Sequence, residues 1–74
     1  MAISRGSSLR RILAANLRKE RMLRAWSQEE AAERAGISQT YISQMESAQR
    51  AVSLDVLEKV AQAFELDADQ LLRK

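Results

Sequence analysis

The sequence predicts an all-α domain, a compact bundle of five helices, and three observations carry that reading. Apolar residues recur at three- and four-residue intervals along most of the chain, the period of one helix face. Hydrophobic residues make up 46% of the sequence but aromatic ones only 4%, so the core is built from Leu, Ile, Val, Ala and Met. Helix-capping residues at Ser27, Ser38, Ser53 and Asp67 divide the chain into helix-sized pieces. At 74 residues there is room for one domain, with a core small enough that a second subunit would usefully bury more apolar surface.

Taken in order, residues 1–7 are polar and uncapped and read as a flexible arm whose Arg5 can reach a phosphate. The domain occupies residues 8–74. Its first helix is expected from Ser8 to about Arg24, with Leu9, Leu13 and Leu17 in one stripe and Ile12 or Met22 flanking it. Glu20 continues the Leu13, Leu17 series and must turn outward or pair with Arg24 one turn later. Ser27 and Glu30 form a capping box for a second helix reaching about Ala35. Gly36 then supplies positive φ at the helix end, and Ser38 caps a third helix that continues to Glu46. Ala31, Ala32 and Ala35 give the second helix a small face for close approach, against which Ile37, Ile42 and Met45 pack. Trp26 packs between the first helix and this pair. Residues 47–52 read as a loop. Ser53 caps a fourth helix with Leu54, Leu57, Val60, Ala61 and Phe64 at helical spacing, and Asp55 in its first turn suits the helix dipole. Asp67 and Gln70 form the capping box of a short last helix through Leu71 and Leu72.

With its packed side accounted for, the third helix leaves Gln39, Thr40, Ser43 and Gln44 facing outward. Uncharged hydrogen-bonding side chains on a short helix after a tight turn are what a helix-turn-helix offers to base edges in a major groove. The stretch SQEEAAERAGISQTYISQME, Ser27 to Glu46, resembles the helix-turn-helix of the phage-repressor type, or Xre, regulators, and similar continuations extend from about Leu13 to Leu72. TYIS, Glu46, Arg50 and Ser53–Leu54 are further similar to the controller proteins of restriction-modification systems.

That resemblance implies the phage-repressor type of DNA-binding domain, with Gln39 the principal reader of adenine and Gln28 holding a phosphate and bracing Gln39. It also implies an Arg21–Glu46 ion pair beneath the recognition helix, shielded from water; the alternative is two independent surface charges. Relatives commonly carry Gly where this chain has Ala25 and Ala48. If both alanines are left-handed each costs on the order of 1 kcal/mol, and otherwise those helices end differently. Tyr41 has three readings: packing with a phosphate contact through its hydroxyl, pure core, or base contact. Arg50 meets the DNA backbone or minor groove, or is a solvated loop residue. Arg18, Arg24 and Ser38 complete the expected backbone contacts, and stacking of Trp26 on a base is the alternative to its packing role.

The formal charge of +2 is unevenly placed: residues 1–25 hold seven basic residues against Glu20, and residues 26–74 hold five basic against nine acidic. A basic first helix suggests a polyanion on that side, the alternative being a solvated charged face. The acidic half fits a homodimer interface away from DNA, with Phe64, Leu66, Leu71 and Leu72 as candidates unless all four are internal. The absence of Cys and His excludes disulfides, zinc fingers, thiol nucleophiles and histidine bases, and no Gly-rich phosphate loop is present. No enzymatic activity, cofactor, metal or small-molecule ligand is therefore expected. No apolar run approaches the roughly 18 residues that span a bilayer, so a cytoplasmic protein without membrane contact is expected. The function expected is sequence-specific binding of double-stranded DNA by a transcriptional regulator, as a homodimer on a palindromic operator with helix 38–46 in the major groove. An antitoxin or other protein-interaction module on the same domain is the alternative.

Overall fold

A computed structural model describes residues 5–74, with side chains from Ser8 onward. The described residues form α1 (Arg5–Leu23), α2 (Gln28–Ala35), α3 (Gln39–Glu46), α4 (Leu54–Ala63) and α5 (Ala68–Leu71). α1 is already helical at Arg5 rather than starting at Ser8, and Gly6 within it costs only about 1 kcal/mol. Residues 5–7 of the expected arm are thus helical, and residues 1–4 and the Arg5 side chain lie outside the described residues.

Each later start has a local cause. Ser27, Ser38 and Ser53 accept from the backbone N–H three residues on, Glu30, Tyr41 and Val56, at 3.0, 3.1 and 3.1 Å. The first cap is one-sided: the Glu30 carboxylate accepts from Arg34 at 2.6 Å. In α5 the Asp67 N–H donates to the Gln70 side chain at 2.8 Å.

The helix ends share one device. Ala25, Gly36, Ala48 and Glu65 adopt positive φ of 58°, 72°, 60° and 59°. The next residue then closes a six-residue backbone turn: Trp26 donates to Arg21, Ile37 to Ala32, Gln49 to Gln44 and Leu66 to Ala61. Trp26, Ile37 and Leu66 also pack on the core, whereas Gln49 after α3 is exposed. Both alanines are thus left-handed, and Glu65 adds a third strained position at about 1 kcal/mol.

α1 packs on α3 and α5, α2 on α3 and α4, and α4 on α5. Leu13, Leu17, the three α2 alanines, Ile42, Met45, Leu57, Val60, Ala61, Phe64 and Leu71 make the core. Leu9 and Met22, expected in or beside the α1 stripe, are 47% and 64% exposed. The buried apolar side chains of α1 are Leu13, Ala14 and Leu17, and Leu9 lies a turn before them. Phe64 and Leu71 are sealed inside at 1% and 0% exposure, so neither can contribute to a dimer face. Only Leu66 and Leu72 of the four candidates keep some surface. Asn16 donates to the carbonyls of Leu71 and Arg73 at 2.9 and 2.7 Å, fastening the end of the chain to α1. Among the described residues no helix is long and apolar enough to cross a membrane.

Candidate nucleic-acid interface

α3 has a dry back and a bare front. Ile42 and Met45 are 0% and 1% exposed, while Ser38, Gln39, Thr40 and Ser43 stand in solvent and Gln44 is half-buried. Gly36 permits the tight turn before it through its φ alone, since a Cβ there would meet nothing within 4 Å. The Ser38 oxygen is occupied as a cap, which leaves its hydroxyl proton free to donate outward.

A polar network anchors the far end of this helix. Arg21 Nε and Nη2 donate to the two Glu46 oxygens at 2.6 and 3.0 Å, and its Nη1 donates to the Trp26 carbonyl at 2.8 Å. Gln28 Nε2 donates to Glu46 Oε1 at 3.1 Å. The side chains of Arg21 and Glu46 are 14% and 5% exposed, so the pair is shielded from water. A carboxylate at a helix C-terminus is unfavourable to the dipole, and the bidentate arginine offsets it. The hydrogen bond to Glu46 raises the Arg21 pKa above its ordinary value, against the opposing effect of desolvation. Gln28 thus braces Glu46; no hydrogen bond to Gln39 forms among the described residues.

A second cluster lies where α3 meets the following loop. Arg50 Nη1 donates to Gln44 Oε1 at 2.7 Å, and its guanidinium carbon sits 4.0 Å from the Tyr41 ring centroid. The hydroxyl of half-buried Tyr41 accepts from the Ser53 N–H at 3.4 Å, linking α3 to the start of α4, and still carries a proton for donation. Tyr41 is accordingly neither pure core nor free.

Arg18 lines an open recess of about 220 Å³ with Gln28, Ser43, Glu46 and Ser47. A larger groove of about 500 Å³ beside it is bordered by Arg11, Arg18, Lys19, Met22 and Ser47. The exposed basic side of α1 therefore runs directly into the exposed side of α3. Ser47, a small polar residue ending α3 and lining both hollows, was not among the residues singled out from the sequence.

Arg24 does not join this surface. It donates to the Glu20 carbonyl and carboxylate at 2.9 and 2.8 Å and to the Phe64 carbonyl at 2.7 Å. Its guanidinium also lies 5.0 Å from the Phe64 ring. The expected backbone contact gives way to a clamp between α1 and the end of α4, because an unpaired carbonyl there offers a charge-assisted bond. The Trp26 ring is tilted at 59° to Phe64 at 4.9 Å and has Arg34 4.4 Å from its centroid, so it is packed rather than offered to a base. Among the described residues no three acidic or other metal-ligating side chains gather to hold an ion.

Residues 17–71 match the family profile described as helix-turn-helix. A hypothetical transcription factor of Neisseria meningitidis serogroup B is 42% identical over 64 residues, covering 86% of this chain. The chain spans 60% of that relative's length. The crystal structure of a hypothetical transcription factor from Neisseria superposes with a TM-score of 0.86 at 37% identity, covering 99% of this chain and 84% of that one. The restriction-modification controller protein C.AhdI from Aeromonas hydrophila gives a TM-score of 0.80 at 31% identity, covering 84% and 94% of the two chains.

Proposed function

Because the chain belongs to the Xre-type helix-turn-helix family, we propose that it is a double-stranded DNA-binding transcriptional regulator of the controller kind, sequence-specific through α3. The observation that carries this reading is the two-sided character of that helix: a back wholly in the core, an end tied to α1 and α2 through Glu46, and an uncharged front. Gln39 offers both amide groups to adenine N6 and N7, and Thr40 and Ser43 reach neighbouring bases. Gln28, Ser38, the Tyr41 hydroxyl and Arg18 hold phosphates and set the register. Arg11 and Lys19 extend the attraction, so log affinity falls with log salt at about −0.9 per phosphate neutralised.

The active species is a homodimer. With Phe64 and Leu71 internal, the dimer face moves to a groove of about 250 Å³ lined by Leu9, Leu13, Ala51, Val52, Leu54 and Leu72. Leu54 is 76% and Leu9 47% exposed there. A second copy fits it for two reasons: a core of this size gains from added apolar burial, and the groove borders the loop after α3. A two-fold axis at that loop relates two reading helices about 34 Å apart, the spacing of successive major grooves.

Selection of bound sequences from a random double-stranded DNA pool tests the proposal. An inverted repeat with half-sites about one helical turn apart is expected. A folded protein that enriches no motif would shift the assignment to a protein partner, as for an antitoxin.

A further inference from the structure

We infer that Arg50 is a positioning residue for Gln44, and that Gln44 held in this way reads guanine. The inference rests on α3 entering the major groove as proposed above.

A guanidinium has only donors, so the Gln44 atom 2.7 Å from Arg50 Nη1 is its carbonyl oxygen. The amide is planar, and fixing the oxygen toward Arg50 fixes the NH2 group on the other side. Arg50 is itself restrained by the Tyr41 ring at 4.0 Å, and Tyr41 by its bond to Ser53. Gln44 is half-buried, which narrows its choice of rotamers further. With its oxygen turned toward Arg50 it presents chiefly its two N–H donors away from the loop, whereas exposed Gln39 offers both groups.

Base edges in the major groove respond to that difference. Guanine offers two acceptors, O6 and N7, to a donor-only group; thymine offers one, O4. Cytosine presents its N4 amino group, which would face Gln44 donor to donor. Adenine pairs fully only with a side chain that also accepts from N6, as Gln39 does. The neighbouring Arg50 charge favours the doubly accepting guanine edge as well. Two glutamines on one helix thus prefer different bases because one of them has its acceptor turned toward an arginine of the next loop.

Selections from the random pool with the wild type, Gln44→Glu, Gln44→Ala and Arg50→Ala test this, each protein first shown to be helical by circular dichroism. The wild type is expected to enrich guanine at one position of each half-site. Gln44→Glu keeps an oxygen toward Arg50 and places an acceptor where the NH2 stood, so that position should change to cytosine. Arg50→Ala frees the amide and should reduce the guanine preference at that position, and there only, by roughly tenfold, as Gln44→Ala does. An Arg50→Ala protein that binds every sequence more weakly by the same factor, with the guanine intact, would make Arg50 a phosphate contact and overturn the inference. A wild-type motif that no Gln44 variant alters overturns it too and leaves the proposed function standing. Absence of any motif for the wild type removes both.

Discussion

Breaking the Arg21–Glu46 pair from one side should destabilise the domain far more than removing it whole. Three hydrogen bonds converge on the Glu46 carboxylate, two from Arg21 and one from Gln28, at a side chain only 5% exposed. In Glu46→Gln the new NH2 does least harm in place of Oε2, where it still faces Arg21 Nε donor to donor and leaves the guanidinium without a counter-charge. The expected loss is about 3 kcal/mol, at the lower end for a broken buried pair because Arg21 retains some water contact. For a domain of this size that lowers the melting temperature on the order of 15 °C. Arg21→Met, which strands the more deeply buried partner, should cost at least as much. The double variant Arg21→Met, Glu46→Leu fills the same space with apolar atoms and should lie within about 1 kcal/mol of the wild type. Urea unfolding followed by circular dichroism, at one protein concentration so that dimerisation is held constant, gives the cycle with Glu46→Leu as the second single variant. A coupling of at least about 2 kcal/mol is expected, and additivity within about 0.5 kcal/mol would refute the reasoning. The guanidinium does not titrate during such a measurement. Its folded pKa is raised, so its contribution is fully present below the ordinary arginine value and lost only as pH rises through the higher folded one.

Three further outcomes follow from the geometry. Ala25→Gly, Ala48→Gly and Glu65→Gly each relieve a residue held near φ 60° and should each stabilise the domain by about 1 kcal/mol; melting temperatures that stay level or fall would contradict the strain assigned there. Arg18→Ala should weaken binding equally on all DNA sequences and flatten the salt dependence by about one phosphate, while Arg24→Ala should lower stability and leave the salt slope of the folded fraction unchanged. Leu54→Lys, at a side chain 76% exposed, should dissociate the proposed dimer in sedimentation while changing monomer stability by less than about 0.5 kcal/mol; a wild type that sediments as a monomer, or a dimer the variant leaves unaltered, would refute this interface.

What the sequence revealed of this fold was whatever depends on near neighbours. The serine caps, the glycine turn and the inward alanines, isoleucine and methionine of α2 and α3 follow from spacings of three and four residues, and the structure has them where those spacings put them. Glu20 with Arg24 was legible for the same reason. The arginines of α1 show where that legibility stops. Arg18, Arg21 and Arg24 are the same residue at intervals of three, and each step turns the side chain by about 60° in net angle around the helix. On an unbroken helix Arg18 and Arg24 would stand about 120° apart with Arg21 between them, although α1 itself ends at Leu23. Periodicity gives these angles without saying what occupies each one. At Arg18 it is solvent beside α3, at Arg21 the Glu46 carboxylate, and at Arg24 a carbonyl 40 residues further along the chain. The resemblance implies the partner of Arg21 and a backbone contact for both Arg18 and Arg24; neither it nor the pattern points to the Phe64 carbonyl that Arg24 meets. The capture of Gln44 by Arg50 is the same kind of fact six residues apart: the loop between them has no period from which its direction could be read. On the inference drawn for Gln44, base preference would be set partly outside α3, and two chains with identical α3 sequences but different loop residues would then select different DNA.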